Sequence, residues 1–153
     1  MPVVTDELVP PTFSVTMLMA DAAQVANRKL FILGGGISIV PARPVPLAVV
    51  MLIRVPWDQA DTRHEWLLEL LDQDHSPVLV GDDQPLLVSG EFEAHRSEDL
   101  MPGTSLDVPV AINFGTLSLE GGGRYIWRLS IDGETEDDWR IGFSVRPAEV
   151  EEA

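Results

Sequence analysis

The sequence predicts an all-β protein: an antiparallel β-sandwich of about eight strands, immunoglobulin-like or jelly-roll-like. Three observations predict it. Apolar and polar residues alternate with period two in seven separate stretches, and only a strand sends successive side chains to opposite faces. Clusters of Gly, Pro and Asp fall between those stretches, and these residues end strands through positive φ, a missing N–H and side-chain capping of turns. Helix signals are few and shorter than an average helix.

The elements follow in order. In 13–19, Phe13, Val15, Met17 and Met19 alternate with Ser14, Thr16 and Leu18. "ADAAQVANRK", 20–29, reads as one helical turn. "KLFILGGGISIV", 29–40, carries three consecutive glycines, Gly34, Gly35 and Gly36. A phosphate loop would need a lysine and a helix after its glycines. Here Ile37, Ser38, Ile39 and Val40 follow. The glycines therefore read as a bulge or bend that lets a long strand change direction or sheet.

In 47–55, Leu47, Val49, Met51, Ile53 and Val55 share a face. "PWDQADTRHEW" reads as a second helical turn. Strands follow at 64–71, with Trp66, Leu68 and Leu70 inward, and at 86–93, with Leu86, Val88 and Phe92 inward. In 106–115 the inward set is Val108, Val110, Ile112 and Phe114. The last two strands, 124–131 and 139–146, read as a hairpin across Asp132-Gly133 with a loop longer than two residues. Second-phase apolar residues such as Val50, Leu52, Leu67 and Leu71 would face water. Either a second subunit or the chain's own loops would have to cover them.

The totals bound the function classes. The chain has 153 residues, one domain's worth. The domain is expected over 11–147, with loose termini at 1–10 and 148–153. Ten Lys and Arg stand against 25 Asp and Glu, a net charge of −15. Nucleic acid and anionic lipid repel such a chain. There is no cysteine, so thiolate chemistry and disulfides are excluded. The opening residues lack the basic start and apolar block of a leader, and no apolar run reaches membrane-helix length. A cytoplasmic protein binding neither membrane nor nucleic acid is the expectation.

Candidate chemistry is sparse. Asp132, Glu134, Glu136, Asp137 and Asp138 crowd one loop; Asp72 and Asp74 crowd a second, and Asp82 and Asp83 a third. Oxygen-rich loops can hold Ca²⁺, so Asp132, Glu134, Asp137, Asp138, Asp72 and Asp74 are candidate ligands. The bland reading is that Asp marks turns and keeps the surface soluble. His64, His75 and His95 are too scattered for a zinc motif, and no nucleophile elbow is present. Trp66, Trp127 and Trp139 fall on core phases, whereas Trp57 stands between strands as a candidate binding rim. Arg124, Arg128, Arg140 and Arg146 occupy the outward phase of the last two strands. They are either a face for an acidic partner or one side of cross-strand ion pairs.

The phrases "MLMADAAQVANRKLFILGGGISIV", "VPWDQADTRHEWLLELLDQDHSPV", "LDVPVAINFGTLSL" and "GGGRYIWRLSIDGETEDDWRIGFSVRP" together resemble an uncharacterised bacterial family of single-domain proteins. The resemblance spans about residues 12 to 147 and implies an all-β fold. It implies no activity, substrate or catalytic residue. The expected function is a non-enzymatic binding or assembly module, needing no cofactor and acting on a protein partner or a second copy. The alternative is a Ca²⁺-type cation site on the acidic loops that binds a small ligand.

Overall fold

A computed structural model describes residues 12–148; the expected loose termini, apart from Ala148, lie outside this range. Twelve strands form: β1 Ser14–Ala20, β2 Ala22–Ala26, β3 Lys29–Leu33, β4 Ile39–Val40, β5 Val45–Val55, β6 His64–Asp72, β7 Leu79–Val80, β8 Gln84–Pro85, β9 Leu87–Phe92, β10 Leu106–Leu117, β11 Arg124–Ile131 and β12 Arg140–Val145. One sheet has the order β1-β5-β10 and a second β4-β12-β11-β6-β9. Two ribbons, β2-β3 and β7-β8, complete the strands of the described residues. All seven expected strands are present.

The two sheets pack face to face. The inward phase of β5, Leu47, Val49, Met51, Ile53 and Val55, is buried. It meets Trp66, Leu68 and Leu70 of β6, Tyr125, Trp127, Leu129 and Ile131 of β11, and Phe143 and Val145 of β12. Trp127 is fully buried and stacks between Phe114 and Phe143, with ring centroids 5.1 and 6.4 Å away. Each side chain buried this way stabilises the fold by about 1.5–3 kcal/mol. At the start of β11 the Tyr125 hydroxyl donates a 3.0 Å hydrogen bond to the Glu120 carbonyl, pinning the corner where the chain enters that strand.

The glycines do what the sequence suggests. β1 lies in the three-stranded sheet, and β4, reached after Gly34–Gly36, lies in the five-stranded one. Gly34 and Gly36 have φ of 65° and 93°, values that cost little only for glycine. The Gly36 and Ile37 amides donate back to the Met19 carbonyl. β4 then pairs in parallel with β12, the one parallel pairing among the described strands.

One expectation is corrected. Residues 20–29 are not a helical turn. β2 and β3 form a hairpin whose two loop residues, Asn27 and Arg28, both take positive φ, 51° and 61°. That is the primed turn whose twist matches the flanking strands. The other expected helical turn does form, as a single 3-10 turn, Trp57–Gln59. Of the two covers expected for Val50 and Leu71, a second subunit or the chain's own segments, the chain supplies its own. The β2-β3 ribbon folds over the outer face of the three-stranded sheet, where Ala20, Ala23, Ala48 and Val50 form a second buried cluster with Leu18, Leu30 and Ala111 against it. Leu71 is buried where the chain turns back to bridge it with Pro77. Leu52 and Leu67 are half-buried.

Candidate binding surfaces

The acidic loops lie at opposite ends of the sandwich. Asp132 sits beside the first residues of β6 and Asp72 at its last residue, about 26 Å apart at strand rise. Asp72, Asp132 and Asp137 each have a local partner. Asp72 Oδ1 accepts the Asp74 and Ser76 amides at 2.9 and 3.0 Å. Asp137 Oδ1 lies 3.6 Å from Arg140 Nη2. Glu134 and Asp138 are exposed, and the Glu134 backbone bridges Ile131. Among the described residues no three His, Cys, Asp or Glu side chains gather as a metal site would require.

Asp132 is instead half of a tether that the sequence does not announce. His64, buried in the core, places Nδ1 2.7 Å from Asp132 Oδ2 and Nε2 2.8 Å from the Gln59 carbonyl. Phe13 packs edge-on to the imidazole at 4.9 Å and Phe92 lies 5.2 Å away. Asp132 Oδ1 also accepts the Glu65 amide at 2.9 Å. Burial works to raise the Asp132 carboxyl. The Glu65 amide, the His64 hydrogen bond and the His64 charge outweigh it and hold the carboxyl below its ordinary value. The group joins β6, the 3-10 turn and the β11–β12 loop.

The remaining candidates separate. Trp57 is not an exposed rim: it is half-buried against the core, and the Arg96 guanidinium covers it at 4.7 Å while bonding its carbonyl. Arg128 lies opposite Glu69 in the β11–β6 register and pairs with it at 2.7 Å. Arg140 faces Arg128 across the hairpin and leans on Asp137. Arg124 joins another group: with Arg43 and Arg146 it lines a groove of about 850 Å³ whose described walls hold no carboxylate.

The surface that sequence reasoning missed is the β2-β3 ribbon. Its register sets Ala22 opposite Leu33, Gln24 opposite Phe31 and Ala26 opposite Lys29, all on the outer face. Phe31 is 51% exposed, Ile32 40% and Leu33 69%. Together with Ala22, Ala23 and Gln24 they line a shallow depression of about 300 Å³. No acidic residue occurs between Asp21 and Asp58, and the chain's only lysine, Lys29, sits beside the ribbon's turn.

The two edges of the ribbon differ. Ala23 donates its amide to Asn113 Oδ1 at 3.1 Å and accepts from Asn113 Nδ2 at 2.7 Å. The Asn113 amide, standing on β10, thus occupies the outer edge of β2. Among the described residues β3 pairs with β2 alone, so no described strand occupies its other edge. An unpaired edge with apolar side chains is a template for another strand.

Residues 15–145 match DUF6941, a family of unknown function. The chain belongs to this family. No curated protein matches it. Among the described residues, no helix is long and apolar enough to cross a membrane.

Proposed function

We propose that this DUF6941 chain is a non-catalytic, immunoglobulin-like binding and assembly module that works through the outer face and open edge of its β2-β3 ribbon. The carrying observation is the exposure of Phe31, Ile32 and Leu33 on an acid-free ribbon of a chain with net charge −15. Exposed apolar clusters on soluble chains mark interaction sites. A partner landing there meets a stretch with no acidic residue between Asp21 and Asp58.

Strand order supports the immunoglobulin-like part of the reading over a jelly roll. The long strands run β1-β5-β10 in one sheet and β12-β11-β6-β9 in the other. These match the A-B-E and G-F-C-C′ order of that architecture. Tyr125, bonded to the Glu120 carbonyl at the start of β11, fits its tyrosine corner, and Trp66 fits its buried tryptophan on the third strand. The ribbon is then an elaboration between the two halves of a first strand.

The test is a photo-crosslinking amino acid at Leu33, read in the cells that make the protein, with Met101 as an exposed control outside the ribbon. The reading expects a specific product at 33 and none at 101. Equal labelling at both positions would overturn it.

A second reading rests on the groove lined by Arg43, Arg124 and Arg146. It would seat an acidic peptide segment. Salt-sensitive binding of a poly-glutamate peptide, lost in Arg124→Ala, is its test.

A further inference from the structure

We infer that the partner on the ribbon is a second copy of this chain, paired β3 to β3 about a two-fold axis through Phe31. This rests on the ribbon reading above and specifies its occupant and register.

The hydrogen-bonding parity of the ribbon comes first. A two-residue turn is closed by a hydrogen-bonded pair, here Ala26 with Lys29. Pairs then alternate along the ribbon. Gln24–Phe31 and Ala22–Leu33 are also hydrogen-bonded, whereas Val25–Leu30 and Ala23–Ile32 are not. Ala23 confirms the parity, because its N–H and C=O point away from β3 to Asn113. By the same parity, the N–H and C=O groups of Leu30 and Ile32 point away from β2, toward the open edge.

Two such edges fit one another. Antiparallel pairing with Phe31 on the axis sets Leu30 of one copy against Ile32 of the other, twice, so all eight edge groups find partners. Phe31 then meets Phe31 as a non-hydrogen-bonded pair, the type in which side chains approach closest. The same register places Lys29 beside Leu33 of the second copy, where its aliphatic stem can cover that exposed leucine.

Charge selects this register and this partner. Arg28 falls opposite Gly34 of the second copy. The Asp21 carboxylate lies against Gly34, closely enough to fill the space of a Cβ there. The two-fold therefore brings Arg28 and Lys29 of each copy to Asp21 of the other. No ion pair among the described residues involves these three. Two chains of charge −15 repel almost wherever they touch. This ribbon lets them meet with complementary charges at Arg28, Lys29 and Asp21, with Glu93 and Asp107 lining a groove beside Arg28. The product is a continuous four-stranded sheet, β2-β3-β3-β2.

The chain has no cysteine, so single substitutions give a direct test. Phe31→Cys and Leu33→Cys are made in the full chain, checked for unchanged melting, and oxidised mildly. Residue 31 would lie about 4.5 Å from its copy between Cα atoms, within disulfide reach. Residue 33 would lie about 14 Å from its copy, out of reach. Expected is a band of doubled mass, lost on reduction, for Phe31→Cys, none for Leu33→Cys alone, and one for Leu33→Cys mixed with Lys29→Cys. Self-crosslinking of Leu33→Cys but not Phe31→Cys would overturn the register. No crosslink in any variant would overturn self-pairing. In that case a Leu33 photo-adduct to a different protein would keep the ribbon reading, and its absence would end both.

Discussion

β5 and β3 are both apolar strands, and the chain uses them in opposite ways. β5 has neighbours on both edges and burial on both faces: Met51 and Ile53 in the sandwich core, Ala48 and Val50 beneath the ribbon. β3 has one neighbour among the described strands, and of its five residues only Leu30 is half-buried. Apolar composition alone therefore does not place a residue in the core. Pairing and covering do, and a strand left uncovered needs another explanation. Here the proposed explanation is a partner.

The comparison is broken most severely at the sandwich core. Trp127→Ala should cost about 3–5 kcal/mol, seen as a large drop in denaturant midpoint with an unchanged slope. A loss near that of a surface residue would mean the two-sheet interface is not the source of stability.

The next largest effects come from the two side chains that hold peripheral segments. Asn113→Ala leaves the Ala23 amide and carbonyl without partners, costing about 1–3 kcal/mol. Hydrogen exchange should show it in ribbon amides while those of β6 and β11 stay protected. Asp132→Asn should cost a similar amount, about 1–3 kcal/mol, at neutral pH. Its pH dependence is fixed in sign. A carboxyl whose folded pKa is depressed stabilises above its unfolded value, about 3.9, and that contribution is lost as pH falls through the folded pKa. Wild type and Asp132→Asn should thus differ most near neutrality and converge in acid unfolding below about pH 4. A gap that stays constant with pH would remove the His64–Asp132 tether from the account.

A smaller effect is expected where the first strand changes sheets. Gly34→Ala puts a Cβ onto the Asp21 carboxylate at a φ of 65°, at a cost of roughly 1 kcal/mol or more. Its melting temperature should fall while Gly36→Ala, whose Cβ meets nothing within 4 Å, should lose only the φ strain.

Much of this fold was legible because long strands with one buried face write period two into the sequence. Leu47 to Val55 and Tyr125 to Ile131 show it directly. The glycine switch was legible too, since nothing but a bend suits Gly34–Gly36 before a β-like run. The ribbon was not. Its strands are five residues each, β2 is mostly alanine, "LFIL" does not alternate, and its turn is Asn-Arg without glycine. The tether was hidden for a different reason: His64 and Asp132 are 68 residues apart and meet only through the β6–β11 pairing. The same pairing turns Arg128 from a candidate binding residue into the partner of Glu69.

The smallest stability change carries the most functional weight. Phe31→Ser with Leu33→Ser touches only the exposed face, so melting should move by no more than about 0.5 kcal/mol equivalent per site. Sedimentation equilibrium of this double variant beside wild type tests the central claim most directly. The account predicts wild type rising with concentration from 16.8 kDa toward twice that mass, and the variant holding at the single-chain mass with its fold intact. Wild type at the single-chain mass over the whole range, or a variant that dimerises as wild type does, would contradict it.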